Sequence, residues 1–213
     1  MGREFLNIFE DWASEYDASV HGHDEEYKEV FNRYEDILQS VADLSKGNVV
    51  EFGVGTGNLT TKLVANGRAV HGVEPSQPMR ELAIEKLGDV ITIEDGDFIE
   101  FNLPKERVDS IVSTYAFHHL TDDEKQEAVA KYGNLLEPGG KIVFADTMFE
   151  SEEAFEDTIK QANARGYFNL AEDLQREYYT TIDVLRAIFE KNGFETTFTR
   201  FNHFVWVVNA TKQ

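Results

Sequence analysis

Apolar positions along the chain follow two rhythms, a helical one of about 3.6 residues and a strand one of 2, and their order predicts the architecture. Phe5, Phe9, Trp12, Ala13 and Tyr16 share one helical face, and Tyr27, Val30, Phe31, Tyr34, Ile37, Leu38 and Val41 share another. Two amphipathic helices therefore precede the first strand. Val49, Val50, Glu51 and Phe52 form a short strand, glycines follow at 53, 55 and 57, and Leu59, Leu63 and Val64 return to helical spacing. A second strand, 69–74, is stopped by Pro75, and Ser76 is placed to cap a helix that buries Met79, Leu82, Ala83 and Leu87. Val90 to Glu94 reads as a third strand and Val108 to Tyr115 as a fourth. Thr121 and Glu124 have capping-box spacing, and the helix they open carries Ala128, Val129, Tyr132, Leu135 and Leu136 inward before Pro138, Gly139 and Gly140 end it. Lys141 to Asp146 is a fifth strand. Such alternation of strand and helix predicts βαβ units around a parallel sheet, the doubly wound α/β class.

Beyond Thr147 the rhythm turns helical up to Thr180, which reads as an insertion over the carboxyl edge of the sheet. Val184, Leu185, Ile188 and Phe189 mark a last helix, and Glu195 to Arg200 with Phe204 to Ala210 predict an antiparallel hairpin joined through Asn202 and His203. No linker, repeat or low-complexity tract divides the 213 residues, so one domain is expected. Its parts are a helical cap at 1–46, a ligand-binding core at 47–146, the insertion at 147–180, and the last helix and hairpin at 181–213.

Charge narrows the partners. Acidic residues outnumber basic ones 40 to 20, a formal charge of -20, and no basic run offers phosphates a local patch. Nucleic acid and anionic membranes are therefore not expected partners. The chain has no cysteine, which excludes thiolate chemistry and a disulfide framework. No apolar stretch reaches the roughly 18 residues of a membrane span, and no basic-then-apolar signal opens the sequence, so a cytoplasmic protein is expected.

The glycine turn carries the chemistry. Glycines accept positive φ and let a ligand lie against bare backbone beside the free N–H groups of a helix start. A dinucleotide fingerprint would need glycine where Asn58 stands, and a P-loop would need a Gly-Lys pair. The spacing is G-x-G-x-G instead, and with Glu51 ahead of it the stretch resembles motif I of the class I S-adenosylmethionine-dependent methyltransferases. Three further stretches resemble that family in the right order. Val73, Glu74, Pro75, Ser76 is similar to the motif whose carboxylate accepts from the ribose hydroxyls. Asp97-Phe98 is similar to the step whose carboxylate accepts from the adenine amino group while its neighbour packs on the ring. Leu135 to Lys141 is similar to the Leu-x-Pro-Gly-Gly stretch before the fifth strand. Asp11 to Asp17 resembles the W-A-x-x-Y-D start of small-molecule members, whose tyrosine approaches the cofactor carboxylate. Among narrower groups the chain looks closest to the small YrrT-like methyltransferases of bacteria.

The resemblance implies a Rossmann-like fold with a mostly parallel seven-stranded sheet, helices on both faces and a C-terminal antiparallel hairpin. It implies S-adenosyl-L-methionine as cofactor, S-adenosyl-L-homocysteine as product and a small-molecule methyl acceptor. The implied cofactor residues are Tyr16, Glu51, Gly53, Gly55, Thr56, Gly57, Glu74, Pro75, Met79, Asp97, Phe98 and Tyr115. Two carboxylates suit a sulfonium cofactor, which brings no pyrophosphate to be repelled. A non-catalytic S-adenosylmethionine-binding module and an NAD-dependent oxidoreductase are the alternatives. The chain is expected as a monomer or homodimer.

His118 and His119 follow the fourth strand where the family places methionine and acceptor, so one of them is a candidate general base; the competing reading has them cap the next helix or pack. His21, His23 and Asp24 have a spacing that suits a metal, but with no cysteine beside them the reading adopted is a solvated turn, and no metal is expected. His71 reads as a hydrogen-bonded core residue. Phe149, Phe155, Tyr167, Phe168, Tyr178 and Tyr179 either line an apolar pocket or pack as core, and Arg165 and Arg176 either meet an acidic substrate group or, the reading adopted, pair with surface carboxylates.

Overall fold

The computed structural model describes residues 17, 20, 24–88 and 91–213. The first amphipathic helix, Tyr16, His21, His23 and the start of the third strand at Val90 lie outside the described residues. Seven helices are described: α1 Tyr34–Leu44, α2 Asn58–Ala65, α3 Gln77–Leu87, α4 Asp122–Leu135, α5 Glu152–Arg165, α6 Phe168–Arg176 and α7 Ile182–Lys191. The strands are β1 Asn48–Phe52, β2 Ala69–Val73, β3 Thr92–Glu94, β4 Ser110–Thr114, β5 Lys141–Thr147, β6 Phe194–Arg200 and β7 Val205–Lys212. They form one seven-stranded sheet of order β3-β2-β1-β4-β5-β7-β6. β1 to β5 are parallel to their neighbours, whereas β7 runs antiparallel between β5 and β6.

Period-2 alternation sends neighbouring strand residues to opposite faces. Val50, Phe52, Ile111, Ile142 and Phe144 meet α4 and α7 through Val129, Tyr132, Leu185 and Phe189. Val49, Val112, Val143 and Ala145 meet the other layer, built from α1, α2, α5 and α6 through Ile37, Leu38, Leu63, Ala162 and Leu174. Helices thus cover both faces, and the hairpin closes one edge.

Local signals set most helix starts. Thr121 Oγ1 accepts the Glu124 N–H at 3.3 Å while Glu124 Oε2 accepts the Thr121 N–H at 2.9 Å, a complete capping box. The helix expected over Tyr27–Val41 begins only at Tyr34, behind Arg33 at φ 65. Val30 and Phe31 are buried all the same, on turns rather than on a helix. The 147–180 segment folds as α5 and α6, and its return is pinned by Phe149 N–H to Thr180 O at 3.2 Å and Tyr178 N–H to His118 O at 3.0 Å. The buried Lys125 ammonium joins the same tie, donating to Leu120 O and Tyr178 O at 2.6 Å each. Among the described residues no helix is long and apolar enough to cross a membrane.

Candidate functional site

Strand order reverses between β1 and β4, and in open α/β sheets ligands lie outside the carboxyl ends of the strands at that point. The turn after β1 arrives there. Gly55 stands at φ 55, and a Cβ built on it would meet nothing within 4 Å, so its backbone faces open space. Gly57, at φ 84, is a packing glycine: a Cβ there would come within 2.7 Å of Leu87 Cδ1 on α3. Thr56 is buried, and its hydroxyl donates to Asp17 Oδ1 at 2.6 Å. The Asp17 carboxylate also receives Asn58 Nδ2 and Lys86 Nζ at 3.0 Å each. Partial burial works against ionisation of Asp17, but the bonds from Thr56, Lys86 and Asn58 hold it below the usual carboxylate range.

Two buried carboxylates flank the turn. Glu74, just past β2, accepts the Gly55 N–H through Oε2 at 2.9 Å and the Ser76 N–H through Oε1 at 2.8 Å. Burial raises its pKa, and the two backbone bonds oppose the rise. Glu51, fully buried in β1, accepts the Thr60 hydroxyl through Oε2 at 2.7 Å, and its Oε1 has no hydrogen-bond partner among the described residues. Burial pushes its pKa up to about 8. Asp97 Oδ1 accepts the N–H groups of Ile99 and Glu100 at 2.9 and 2.8 Å, fixing the turn after β3. The Phe98 ring is only 7% exposed and stacks on Phe52 at 5.2 Å, so it is committed to core packing. Pro75 is half-buried, and Met79 is buried in the first turn of α3. Gly53 sits where a Cβ would meet Ala116 at 2.8 Å.

The exit of β4 is strained. Tyr115 holds φ 55, rare for a bulky residue. Its ring packs against Phe31 and Tyr34, and its hydroxyl is buried with no partner among the described residues. A 3₁₀ turn, Phe117–His119, follows. His118 Nδ1 lies 2.6 Å from Asp146 Oδ1, its N–H donates to Asp146 Oδ2 at 3.0 Å, and its Nε2 is 3.3 Å from Glu177 Oε2. Burial alone would lower the His118 pKa, but Asp146 and Glu177 together raise it well above the ordinary imidazole range. His119 moves the other way, because burial and the neighbouring charge keep its ring neutral. His118 thus meets a carboxylate at each ring nitrogen, and the buried His119 ring packs 4.1 Å from it.

Asp17, the last residue of the W-A-x-x-Y-D stretch, carries some of these contacts, whereas sequence spacing pointed to neither Asp146 nor Glu177. Asp146 gave only the weak signal of an acidic residue ending a strand. The aromatic candidates divide. Phe149, Phe155 and Tyr179 pack together, with Phe149 and Phe155 4.6 Å apart, and Tyr167 packs against the same core. Phe168 and Tyr178 are exposed. Arg165 pairs with Glu29, and Arg176 with Asp173. His71, on β2, contacts Glu94 of the edge strand β3.

The open backbone at Gly55, the unpartnered oxygen of buried Glu51 and the Glu74 carboxylate form a cradle that fits an adenosyl group carrying an ammonium. Sheet order and cradle together define a class I S-adenosylmethionine-dependent methyltransferase. The family profile of a methyltransferase domain matches residues 49–140. An uncharacterized methyltransferase of Geobacillus sp. (strain WCH70) is 61% identical over 213 residues, covering all of both chains. One from Anoxybacillus flavithermus is 62% identical over the same span. The chain belongs to this methyltransferase family, and its cofactor is S-adenosylmethionine. Among solved structures, magnesium protoporphyrin IX methyltransferase from Synechocystis PCC 6803 with bound SAM matches with TM-score 0.69 at 16% identity, over 99% of this chain and 95% of that one. A possible histamine N-methyltransferase from Thermotoga maritima matches with TM-score 0.64 at 20% identity, over 99% and 97%. At these identities the likeness is one of fold. The non-catalytic and NAD-dependent readings draw no support from the comparisons.

Proposed function

We propose that this enzyme methylates a small molecule held between the β4–β5 exits and the α5–α6 segment, with the cofactor against the glycine turn. The bound cofactor supplies a methyl group on a sulfonium, already activated for in-line displacement. The chain's task is then mainly orientation, which can supply about 7 to 11 kcal/mol of a barrier. Glu74 is assigned to the ribose hydroxyls and Asp97 to the adenine amino group. Glu51 Oε1 is assigned to the ammonium, and Gly53, Gly55, Thr56 and Gly57 form the floor. Tyr115, Pro75 and Met79 line the rim, and Tyr16 keeps the family role near the cofactor carboxylate. One observation carries the reading: Glu51 Oε1 is a fully buried carboxylate oxygen with no partner among the described residues, beside a backbone turn open to a ligand. Buried polar atoms left so are costly and mark a missing partner.

Thermal shift with S-adenosylmethionine, S-adenosylhomocysteine and NAD tests the cradle. Ligand at about a hundred times its dissociation constant stabilises by roughly 2.7 kcal/mol, and only the first two should do so. S-adenosylhomocysteine release against fractionated cell metabolites tests catalysis and finds the acceptor. Tight cofactor binding with no release from any fraction would sink the small-molecule reading.

A further inference from the structure

At the β4 exit two imidazoles meet a carboxylate delivered from the far side of the α5–α6 segment. One ligating atom each from His118, His119 and Glu177 lies within 4.8 Å of the others, and His118 Nε2 stands 3.3 Å from Glu177 Oε2. Atoms bound at about 2.0 to 2.2 Å to a common ion are roughly 3 to 3.5 Å apart, so that pair already has coordination spacing.

The groups behind the ligands are also of the right kind. A metal-bound histidine ordinarily gives its second ring N–H to a carboxylate, which fixes the tautomer and aims the other nitrogen. His118 has that partner in Asp146, at 2.6 Å from Nδ1. Asp146 is itself held, accepting the Thr147 N–H at 2.8 Å and the His118 N–H at 3.0 Å. Glu177 is oriented by Tyr179, whose hydroxyl donates to Oε2 at 2.6 Å and whose ring stacks on His118 at 4.8 Å. An Asp–His–Glu ion pair by itself needs one histidine. Here a second, buried ring is packed 4.1 Å from the first, so two imidazoles stand beside the one carboxylate.

We propose that His118, His119 and Glu177 bind one divalent first-row transition ion of the zinc, cobalt(II) or iron(II) type. Two imidazole ligands select such an ion over magnesium or calcium, which prefer oxygen. Three protein ligands leave a coordination position for water or for an acceptor heteroatom. That use at the acceptor rests on the methyl-transfer reading, whereas ion binding does not.

The test is titration of the chelator-treated, full-length protein with Co²⁺, followed by its visible absorption, and with Zn²⁺ by equilibrium dialysis, both without cofactor. One ion per chain is expected. Glu177→Gln, which keeps the side-chain shape, and His119→Ala should each abolish stoichiometric binding. Asp146→Asn should weaken it about 10- to 100-fold, as loss of a group orienting a ligand does. A His21→Ala, His23→Ala double variant should bind as the parent does. Circular dichroism checks each fold, and Glu177→Gln decides if His119→Ala does not fold. No stoichiometric binding by the folded parent, or binding that survives Glu177→Gln, overturns the proposal. Cofactor binding that stays intact in that outcome leaves the methyl-transfer reading standing.

Discussion

Glu51 is buried with one oxygen unpartnered, and it keeps its proton up to about pH 8, because burial penalises the anion and the nearby Glu74 charge adds to the effect. In the unfolded chain the same proton leaves near the model-peptide value of 4.5. Between those two values the folded state binds more protons, so stability falls as pH rises through the window. The full difference is on the order of 4 to 5 kcal/mol. Glu51→Gln should flatten that part of the profile, as read from urea midpoints compared between about pH 5 and about pH 8. The same substitution should weaken S-adenosylmethionine binding, because the incoming ammonium displaces the Glu51 proton and pairs with the carboxylate, a charge that an amide cannot supply. Glu74→Ala removes a carboxylate that also orders the turn through Gly55 and Ser76. We expect cofactor affinity to drop about 10- to 100-fold by calorimetry, the worth of one charge-assisted hydrogen bond. Asp97→Ala should act in the same direction. Unchanged affinity in both variants would remove these carboxylates from the site.

At the scale of elements, Thr121→Ala should cost about 0.5 to 2 kcal/mol by chemical denaturation, because it breaks the capping box of α4. Cofactor affinity should change little, since the broken cap lies at the start of α4, whereas the helix meets Phe52 and Phe98 through Tyr132, about three turns further on. That capping box was legible because its residues stand three apart, as were the glycine turn, Glu74 and the antiparallel hairpin. Each depends on neighbours in sequence. The start of α1 departs from the apolar periodicity for a definite reason. Periodicity reports which side chains are buried, and Val30 and Phe31 reach the core from turns as readily as from a helix. The cluster around His118 was illegible for another reason. Asp146 lies 28 residues away in sequence, and Glu177 arrives only after two further helices have folded back. No local pattern encodes that meeting.

Over the whole molecule, the formal charge of -20 is a standing repulsion that the fold must overcome. Salt screens it, since the Debye length shrinks from about 30 Å at 0.01 M to about 3 Å at 1 M. Raising sodium chloride across that range should therefore lift the thermal midpoint, and a flat or falling midpoint would mean that local ion pairs outweigh the net field. The placement of β7 has a different consequence, for the order of events during synthesis. β5 ends at residue 147, and the strand that covers its free edge starts at 205. At about 5 to 20 residues per second, a growing chain exposes that apolar edge for roughly 3 to 12 s before its partner is made. Throughout that interval a strand that the finished sheet buries along nearly its whole length is an unfinished template. A ribosome stalled within the hairpin would release a chain prone to pair with its own copies.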